Sequence, residues 1–279
     1  MQNSEVCKLL WNINGDGYID NIKTIPKEPY FSEVNYTLEN IKNIFGLENI
    51  LSVYVRGSSV FDNIIEGISD LDIIVVLKGK MGNNFSRKKE EAEINCSNDL
   101  NFFTEVSIEY FYYSDFFKNA SSFFLQFLLK TQSICIYGVD LNGTFPNITL
   151  DDKVYGLDID YFEVKSSQLL TKLTTIECDD SRKIQSICKK FSKFFVRTIF
   201  AILMSGSGLY TRDIRACYYL ISRTSKFWSI QLLPFYEWVI EPTTDCEELR
   251  SKVMEISPLI LEECQIWKSE NDLKRGNYE

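Results

Sequence analysis

Residues 55–76 contain the residue types and spacing best suited to chemistry. The segment reads VRGSSVFDNIIEGISDLDIIVV, in which one apolar run leads into Gly57-Ser58 and the letters SDLD at 69–72 open another. Glycine lets the backbone approach a ligand closely, and Ser58 with the N–H groups that begin a following short helix can donate hydrogen bonds to anionic oxygens. This turn is therefore predicted to hold the phosphates of a nucleoside triphosphate.

Two acidic residues follow the turn at a spacing that predicts a metal site. Side chains two apart on a strand point to the same face, so Asp70 and Asp72 should present their carboxylates together while Leu71 enters the core. Two adjacent carboxylates repel each other unless a cation lies between them. Mg²⁺ prefers hard oxygen ligands and commonly binds one or two carboxylates plus substrate phosphates. The segment thus predicts a site for Mg²⁺ with ATP or another nucleoside triphosphate as co-substrate.

The combined pattern resembles the signature of the nucleotidyltransferase superfamily, the DNA polymerase beta-like fold whose small members include the aminoglycoside adenylyltransferases. The matching residues are Gly57, Ser58, Ser69, Asp70, Leu71 and Asp72, with 12 positions from Ser58 to Asp70. The resemblance implies transfer of a nucleoside monophosphate, AMP from ATP in the first instance, to a hydroxyl of a small acceptor such as an aminoglycoside-like antibiotic, with release of pyrophosphate.

The same resemblance implies a third carboxylate on a later strand. Glu105 and Glu109 compete for this position, and because they are four apart on one strand both should face the same side. We favour Glu109 because it lies in the middle of the apolar run at 106–113, whereas Glu105 lies at its entry. This carboxylate would activate the acceptor hydroxyl or bind a second metal ion.

In the resembling enzymes a helical second domain supplies cations to the phosphates. Lys193 and Arg197 are four apart and should share one helix face, with Lys190 as a further candidate. Tyr210 is a candidate for stacking on the base. The acidic candidates for acceptor binding are Glu177, Asp179, Asp180 and Asp213.

The apolar patterns predict an α+β fold with an N-terminal mixed sheet, flanking helices and a C-terminal all-helical bundle. Strands are expected at 50–55, 72–77, 106–113 and 133–137, and helices at 36–45, from 88, at 116–129, 161–176, 180–204, 211–224 and 246–268. Pro234 and Pro242 are expected to separate helices. The predicted division is a nucleotidyltransferase domain at 1–147, with residues 1–31 as an N-terminal extension, and a helical domain at 148–279.

Composition narrows the chemistry and the partners. The chain has no histidine, which excludes His-dependent nucleophile systems and His-ligated metals. Its formal net charge of −9 disfavours general binding of nucleic acid and suits a small or cationic acceptor. The eight cysteines are scattered without a CxxC pair, and no apolar run is long enough to span a membrane, so a cytosolic protein with reduced thiols is expected.

Two other functions remain open from the sequence. The acceptor of the transferred nucleotide can be a protein or an RNA end, as in toxin-like relatives of the same superfamily. Alternatively, the chain keeps the fold as a nucleotide-binding module without transfer activity. The identity of the acceptor and the oligomeric state are not encoded in any motif we recognise.

Overall fold

The structure, a computed structural model, describes residues 3–66, 68–80, 85–118, 122–176 and 180–276. It forms two compact units, which we call the sheet unit and the helical unit. The sheet unit is Asn12–Ile148, and the helical unit is Met1–Trp11 together with Thr149–Glu279. Within the described ranges, no helix is both long and apolar enough to cross a bilayer.

A four-stranded mixed sheet forms the centre of the sheet unit. Its strands are β1 (Ile50–Arg56), β2 (Leu71–Leu77), β3 (Val106–Tyr112) and β4 (Ser133–Gly138). The spatial order is β3-β2-β1-β4, with β1 antiparallel to β2 and β4, and β2 parallel to β3. The runs are rich in β-branched and aromatic residues, and β1 and β2 are almost continuously apolar because helices cover both faces. All four strands lie where the sequence predicts them.

Successive side chains of β1 and β2 point alternately to the two faces of the sheet, and each face carries its own hydrophobic core. The helices of this unit are α2 (Tyr30–Phe45), α3 (Phe85–Asn98), α4 (Asp115–Lys118) and α5 (Ser122–Gln132). Val55 and Ile73 belong to the core that α2 and α3 cover. Tyr54 and Ile74, one residue away on each strand, belong to the core that α4 and α5 cover. On this second face, β1 and β2 extend past the edge of the core. The side chains at that end of the strands are therefore the ones that can contact a ligand.

The helical unit is built around one long buried helix. Its helices are α1 (Asn3–Leu9), α6 (Asp152–Ile159), α7 (Phe162–Thr175), α8 (Ser181–Met204), α9 (Ile214–Thr224), α10 (Lys226–Ile240) and α11 (Cys246–Gly276). Helix α8 packs against α6, α7, α9, α10 and α11. Phe195 on α8 is fully buried, and its ring lies 5.7 Å from Phe162 and 5.0 Å from Phe235. The α+β fold class predicted from the sequence is confirmed.

Residues 3–11 belong to the helical unit, whereas the predicted division at 147 groups them with the sheet. They pack with the helical unit rather than extending the sheet unit, because α1 buries Val6 and the chain after it bonds to the turn before α9. The Trp11 N–H donates to the Tyr210 carbonyl at 2.8 Å, and the Thr211 hydroxyl donates to the Leu9 carbonyl at 2.6 Å. These partners are about 200 residues away along the chain, so local sequence patterns do not reveal them.

Pro234 does not separate helices as predicted, since it lies inside α10. A proline within a helix removes one backbone hydrogen bond and costs roughly 3 kcal/mol. The buried residues Trp228, Leu232, Phe235 and Trp238 lie on one face of α10 and offset this cost through packing. Tertiary burial therefore outweighs the local signal of the proline.

Candidate active site

Gly57 brings the two parts of the glycine-serine and aspartate pattern into contact. β1 ends at Arg56, and Gly57–Val60 forms a single turn of 3-10 helix. Gly57 has a φ of +77°, in the left-handed region that favours glycine. A Cβ atom at this position would lie only 2.8 Å from Oδ2 of Asp72. The Asp72 carboxylate thus lies directly against the backbone of the turn. Glycine is the only residue that fits at position 57 without rearrangement.

The segment from the turn to the acidic pair is a loop, and the short helix predicted after Ser58 is not formed by its described residues. The Ser58 carbonyl accepts hydrogen bonds from the N–H groups of Phe61 and Asn63. The Ser69 hydroxyl accepts the N–H of Ile65 at 2.9 Å, and the Ser69 N–H donates to the Ile65 carbonyl at 2.8 Å. Ser69, predicted to bind nucleotide, is therefore engaged in closing the loop that leads to Asp70.

Arg56 lies between the carboxylates of two neighbouring strands. Its backbone is paired with Asp72 in the β1–β2 register. Arg56 Nη2 lies 3.5 Å from Asp72 Oδ1 and 3.3 Å from Glu109 Oε2. The Asp72 and Glu109 side chains are 30% and 41% exposed, so a ligand can reach both. Arg56 was not predicted from the sequence, although it is the charged residue that ends the apolar run of β1.

Asp70 is held at the entrance to β3. Its Oδ1 accepts a hydrogen bond of 2.7 Å from the Thr104 hydroxyl, and the Thr104 N–H donates to the Ser69 carbonyl at 3.0 Å. The Glu105 carbonyl accepts the N–H of Leu71 at 2.9 Å. Thr104 was not predicted from the sequence, because its contact with Asp70 joins segments that are 34 residues apart.

The strand bounds distinguish the two candidates for the third carboxylate. Glu109 lies in the middle of β3, on the sheet face of Asp72, and reaches Arg56. Glu105 precedes β3, which begins at Val106. The geometry therefore favours Glu109 over Glu105.

The chemistry of these donors fits a divalent cation. Among the described residues, no group of three or more acidic, cysteine or histidine side chains is already arranged as a metal cage. However, Asp72 and Glu109 both approach one cationic nitrogen, that of Arg56, which shows that the space between them accommodates positive charge. Carboxylate oxygens are the hard ligands that Mg²⁺ prefers. Asp72 and Glu109, with Asp70 preceding the same strand, are thus the residues that would hold it.

Within the helical unit, the predicted phosphate ligands differ in accessibility. Lys190 is exposed and Lys193 is partly buried on α8. Arg197 donates from Nε and Nη2 to the Arg212 carbonyl at 3.2 and 2.8 Å, and Arg212 in turn pairs with Asp158 at 3.0 Å. Burial, together with the positive charge of Arg212, lowers the pKa of Arg197 to about 10. Arg197 is thereby engaged with the backbone of the helical unit, and its role as a phosphate ligand stays a prediction.

The prediction that Tyr210 stacks on a base is wrong for this conformation, because the ring is buried. Its exposed fraction is 2%. Trp11, Tyr155 and Phe200 surround the ring edge-on, with centroid distances of 4.9, 5.6 and 6.2 Å. Tyr210 is therefore a core residue of the helical unit.

The acidic residues suggested for acceptor binding have structural partners or lie outside the described chain. Glu177 and Asp179 are outside the described residues. Asp180 accepts the Lys183 N–H at the start of α8 and pairs with its ammonium group at 2.7 Å. Asp213 accepts two N–H groups at the start of α9 and pairs with Arg215 at 2.7 Å. Both carboxylates thus cap helices, where they complement the positive end of the helix dipole.

The described residues combine a mixed sheet, in which a glycine-serine turn lies against a strand aspartate, with a separate helical unit. Among solved structures, the chain is similar to the crystal structure of spectinomycin adenyltransferase AAD(9) from Enterococcus faecialis with ATP and spectinomycin. The TM-score is 0.52 at 14% sequence identity, covering 82% of this chain and 98% of that one. No protein-family model and no curated protein matches the sequence. At this identity the likeness establishes the fold and leaves the activity to be argued from the site.

Proposed function

We propose that the chain is a Mg²⁺-dependent nucleotidyltransferase that transfers AMP from ATP to a hydroxyl of a small acceptor and releases pyrophosphate. The observation that carries the proposal is the close approach of Gly57 to Asp72. A Cβ atom built at position 57 would lie 2.8 Å from Asp72 Oδ2. This contact joins the turn suited to phosphates with the carboxylate suited to the metal. The fold shared with a structure solved with ATP and spectinomycin supports the same reaction class.

The residues of the sheet unit have separate roles in this reaction. The acceptor oxygen attacks the α-phosphorus of ATP, the bond to the β-phosphate oxygen breaks, and pyrophosphate leaves. Glu109 accepts the proton of the acceptor hydroxyl through one carboxylate oxygen and would offer the other oxygen to the metal, since its carboxylate is 41% exposed and lies on the same sheet face as Asp72. Asp70 and Asp72 would hold Mg²⁺ together with it, and the ion would supply positive charge that neutralises the phosphates. The backbone at Gly57 and Ser58 approaches the triphosphate closely because position 57 has no side chain.

A cationic, hydroxyl-rich acceptor such as an aminoglycoside or spectinomycin suits the charge of the protein. The chain carries a formal net charge of −9, and the exposed part of the candidate site consists of carboxylates. Such surfaces attract cationic molecules and repel nucleic acid. We accordingly infer a small-molecule acceptor and a role in antibiotic resistance in the cytosol.

The test is to incubate the protein with ATP labelled at the α-phosphate, Mg²⁺ and a panel of aminoglycosides, spectinomycin, lincosamides, tRNA and total protein. We expect label on one small-molecule class and a matching release of pyrophosphate. The Asp72→Asn variant is the negative control. Label on tRNA or protein instead would assign a different acceptor class, whereas ATP binding without pyrophosphate would identify a nucleotide-binding module and refute the enzymatic proposal.

A further inference from the structure

The strands that carry the candidate site also carry a cationic side chain, the guanidinium of Arg56. Arg56 ends β1, and its register partners are Asp72 on β2 and Ser133 on β4. Glu109 lies two residues beyond Ser107, the β3 partner of Asp72. Because side chains of directly paired residues lie on the same face, about 4.5–5.5 Å apart at Cβ, Arg56 and Asp72 must be close. Glu109 reaches the same guanidinium diagonally across the sheet.

The contacts made by Arg56 are weak individually. A single nitrogen, Nη2, serves both carboxylates at 3.5 and 3.3 Å, whereas strong charge-assisted hydrogen bonds measure about 2.7–2.9 Å and often use two nitrogens. The Nε atom of Arg56 is buried and has no hydrogen-bond partner. The guanidinium is therefore held mainly by charge, and another cation can replace it without breaking an optimal set of hydrogen bonds.

The charges of the site show why replacement is favourable. Asp70, Asp72 and Glu109 contribute three negative charges and Arg56 one positive charge, which leaves a formal charge of −2. A divalent cation in the position of the guanidinium would offset two of the three negative charges, whereas Arg56 offsets one. A cation bound between Asp72 and Glu109 would also stand beside Nη2, and two like charges at such distances repel by one to several kcal/mol. The guanidinium and the metal thus cannot both occupy the space between the two carboxylates.

We propose that Arg56 is a positioning residue that bridges Asp72 and Glu109 in the absence of a divalent cation and competes with that cation for them. The inference rests on the proposed function in that the competing cation is the one the transfer reaction requires. In the metal-free protein, Arg56 prevents the carboxylates from repelling each other. When the metal binds, the guanidinium leaves the bridging position, so that the affinity for metal is set partly by this exchange.

The first test measures Mn²⁺ and Mg²⁺ binding by calorimetry for the wild type, Arg56→Met and Arg56→Lys. Methionine keeps an unbranched apolar side chain and removes the charge, so we expect Arg56→Met to bind metal roughly tenfold more tightly, with Arg56→Lys close to the wild type. In EDTA, Arg56→Met should have a lower unfolding temperature than the wild type and a larger rise on adding metal. Arg87→Met is the matched control, because Arg87 pairs with Glu91 on the exposed face of α3 and should leave metal affinity unchanged.

Equal or weaker metal binding by folded Arg56→Met would overturn the inference. A second test uses the wild type alone, so that it does not depend on the variant folding. Crystals grown in EDTA and then soaked with Mn²⁺ should show Arg56 Nη2 leaving the position between Asp72 and Glu109, and a bound Mn²⁺ with Arg56 unmoved would refute the exchange. The proposed function fails separately: absence of pyrophosphate release with every acceptor, together with tighter metal binding by Arg56→Met, would reject the enzyme and retain the exchange.

Discussion

Substitution of Gly57 by alanine isolates the contact on which the candidate site depends. The added Cβ would lie 2.8 Å from Asp72 Oδ2, so the carboxylate or the turn must move by about 0.6 Å to reach 3.4 Å, where ordinary van der Waals contact begins. The backbone at Gly57 has a φ of +77°, which disfavours any residue with a side chain. The substitution therefore has two separable effects, one on the backbone and one on Asp72.

The expected magnitudes follow from these two effects. A left-handed conformation costs a non-glycine residue roughly 1–2 kcal/mol of unfolding free energy. A displacement approaching 1 Å within a catalytic arrangement can reduce turnover by about 100-fold. We expect Gly57→Ala to lower kcat/KM by roughly 10- to 100-fold while reducing stability by only about 2 kcal/mol. The loss of activity should thus be much larger than partial unfolding explains.

Gly206 provides a matched control for the backbone effect. Its φ is +76°, and a Cβ there would meet nothing within 4 Å. Gly206→Ala should therefore lower stability by about the same 1–2 kcal/mol and leave transfer activity unchanged. The measurements are urea unfolding for stability and pyrophosphate release for activity.

A double-mutant cycle with Asp72→Ala tests the contact directly. If the added methyl group contacts the Asp72 carboxylate, Gly57→Ala should reduce the unfolding free energy by about 1 kcal/mol less in the Asp72→Ala background than in the wild type. A coupling of this size is typical of neighbouring residues. An identical cost in both backgrounds would mean that the two residues do not touch. Full activity of Gly57→Ala would likewise refute the close approach of the turn to Asp72.

Three further predictions use the same assays. Asp70→Asn and Asp72→Asn should each abolish pyrophosphate release. Each should change the unfolding free energy by no more than about 1 kcal/mol, because partly exposed carboxylates contribute little to stability. Transfer by either variant would contradict the metal assignment. Glu109→Gln should lower kcat about 100-fold or more while Glu105→Gln stays within a few-fold, and the reverse order would exchange their roles. Tyr210→Leu should lower the unfolding free energy by roughly 1–3 kcal/mol without changing KM for ATP, whereas a raised KM would restore the base-stacking role.

Much of the fold follows from local pattern because its strands are short apolar runs. Helix α8 likewise follows from its helical period, and 13 of its 24 residues are buried. The patterns are informative here because burial on both sides leaves few polar positions to obscure them. What the patterns lack is the identity of the packing partner, so they do not show that α1 belongs to the helical unit or that Pro234 lies within a helix.

The site residues in the helical unit were harder to predict than those in the sheet unit. Lys193 and Arg197 share a face at helical spacing, but spacing does not reveal whether that face meets solvent or the interior. Arg197 is drawn inward by the Arg212 carbonyl, and Tyr210 is covered by three rings from distant segments. Aromatic and basic residues serve equally well in a core and in a nucleotide site, so their types alone do not distinguish the two.

The position of Arg56 opposite Asp72 follows from the register of β1 and β2. Val55 and Ile73 must enter the same core, so their neighbours Arg56 and Asp72 must project from the opposite face. A slip of one residue between β1 and β2 would set Val55 opposite Asp72 and turn one apolar set towards the site. The hydrophobic pattern that stabilises the hairpin therefore also fixes the pairing of the guanidinium with the carboxylate. The competition between Arg56 and a metal ion is thus a consequence of strand register, and it should persist in any variant that keeps the core of this hairpin.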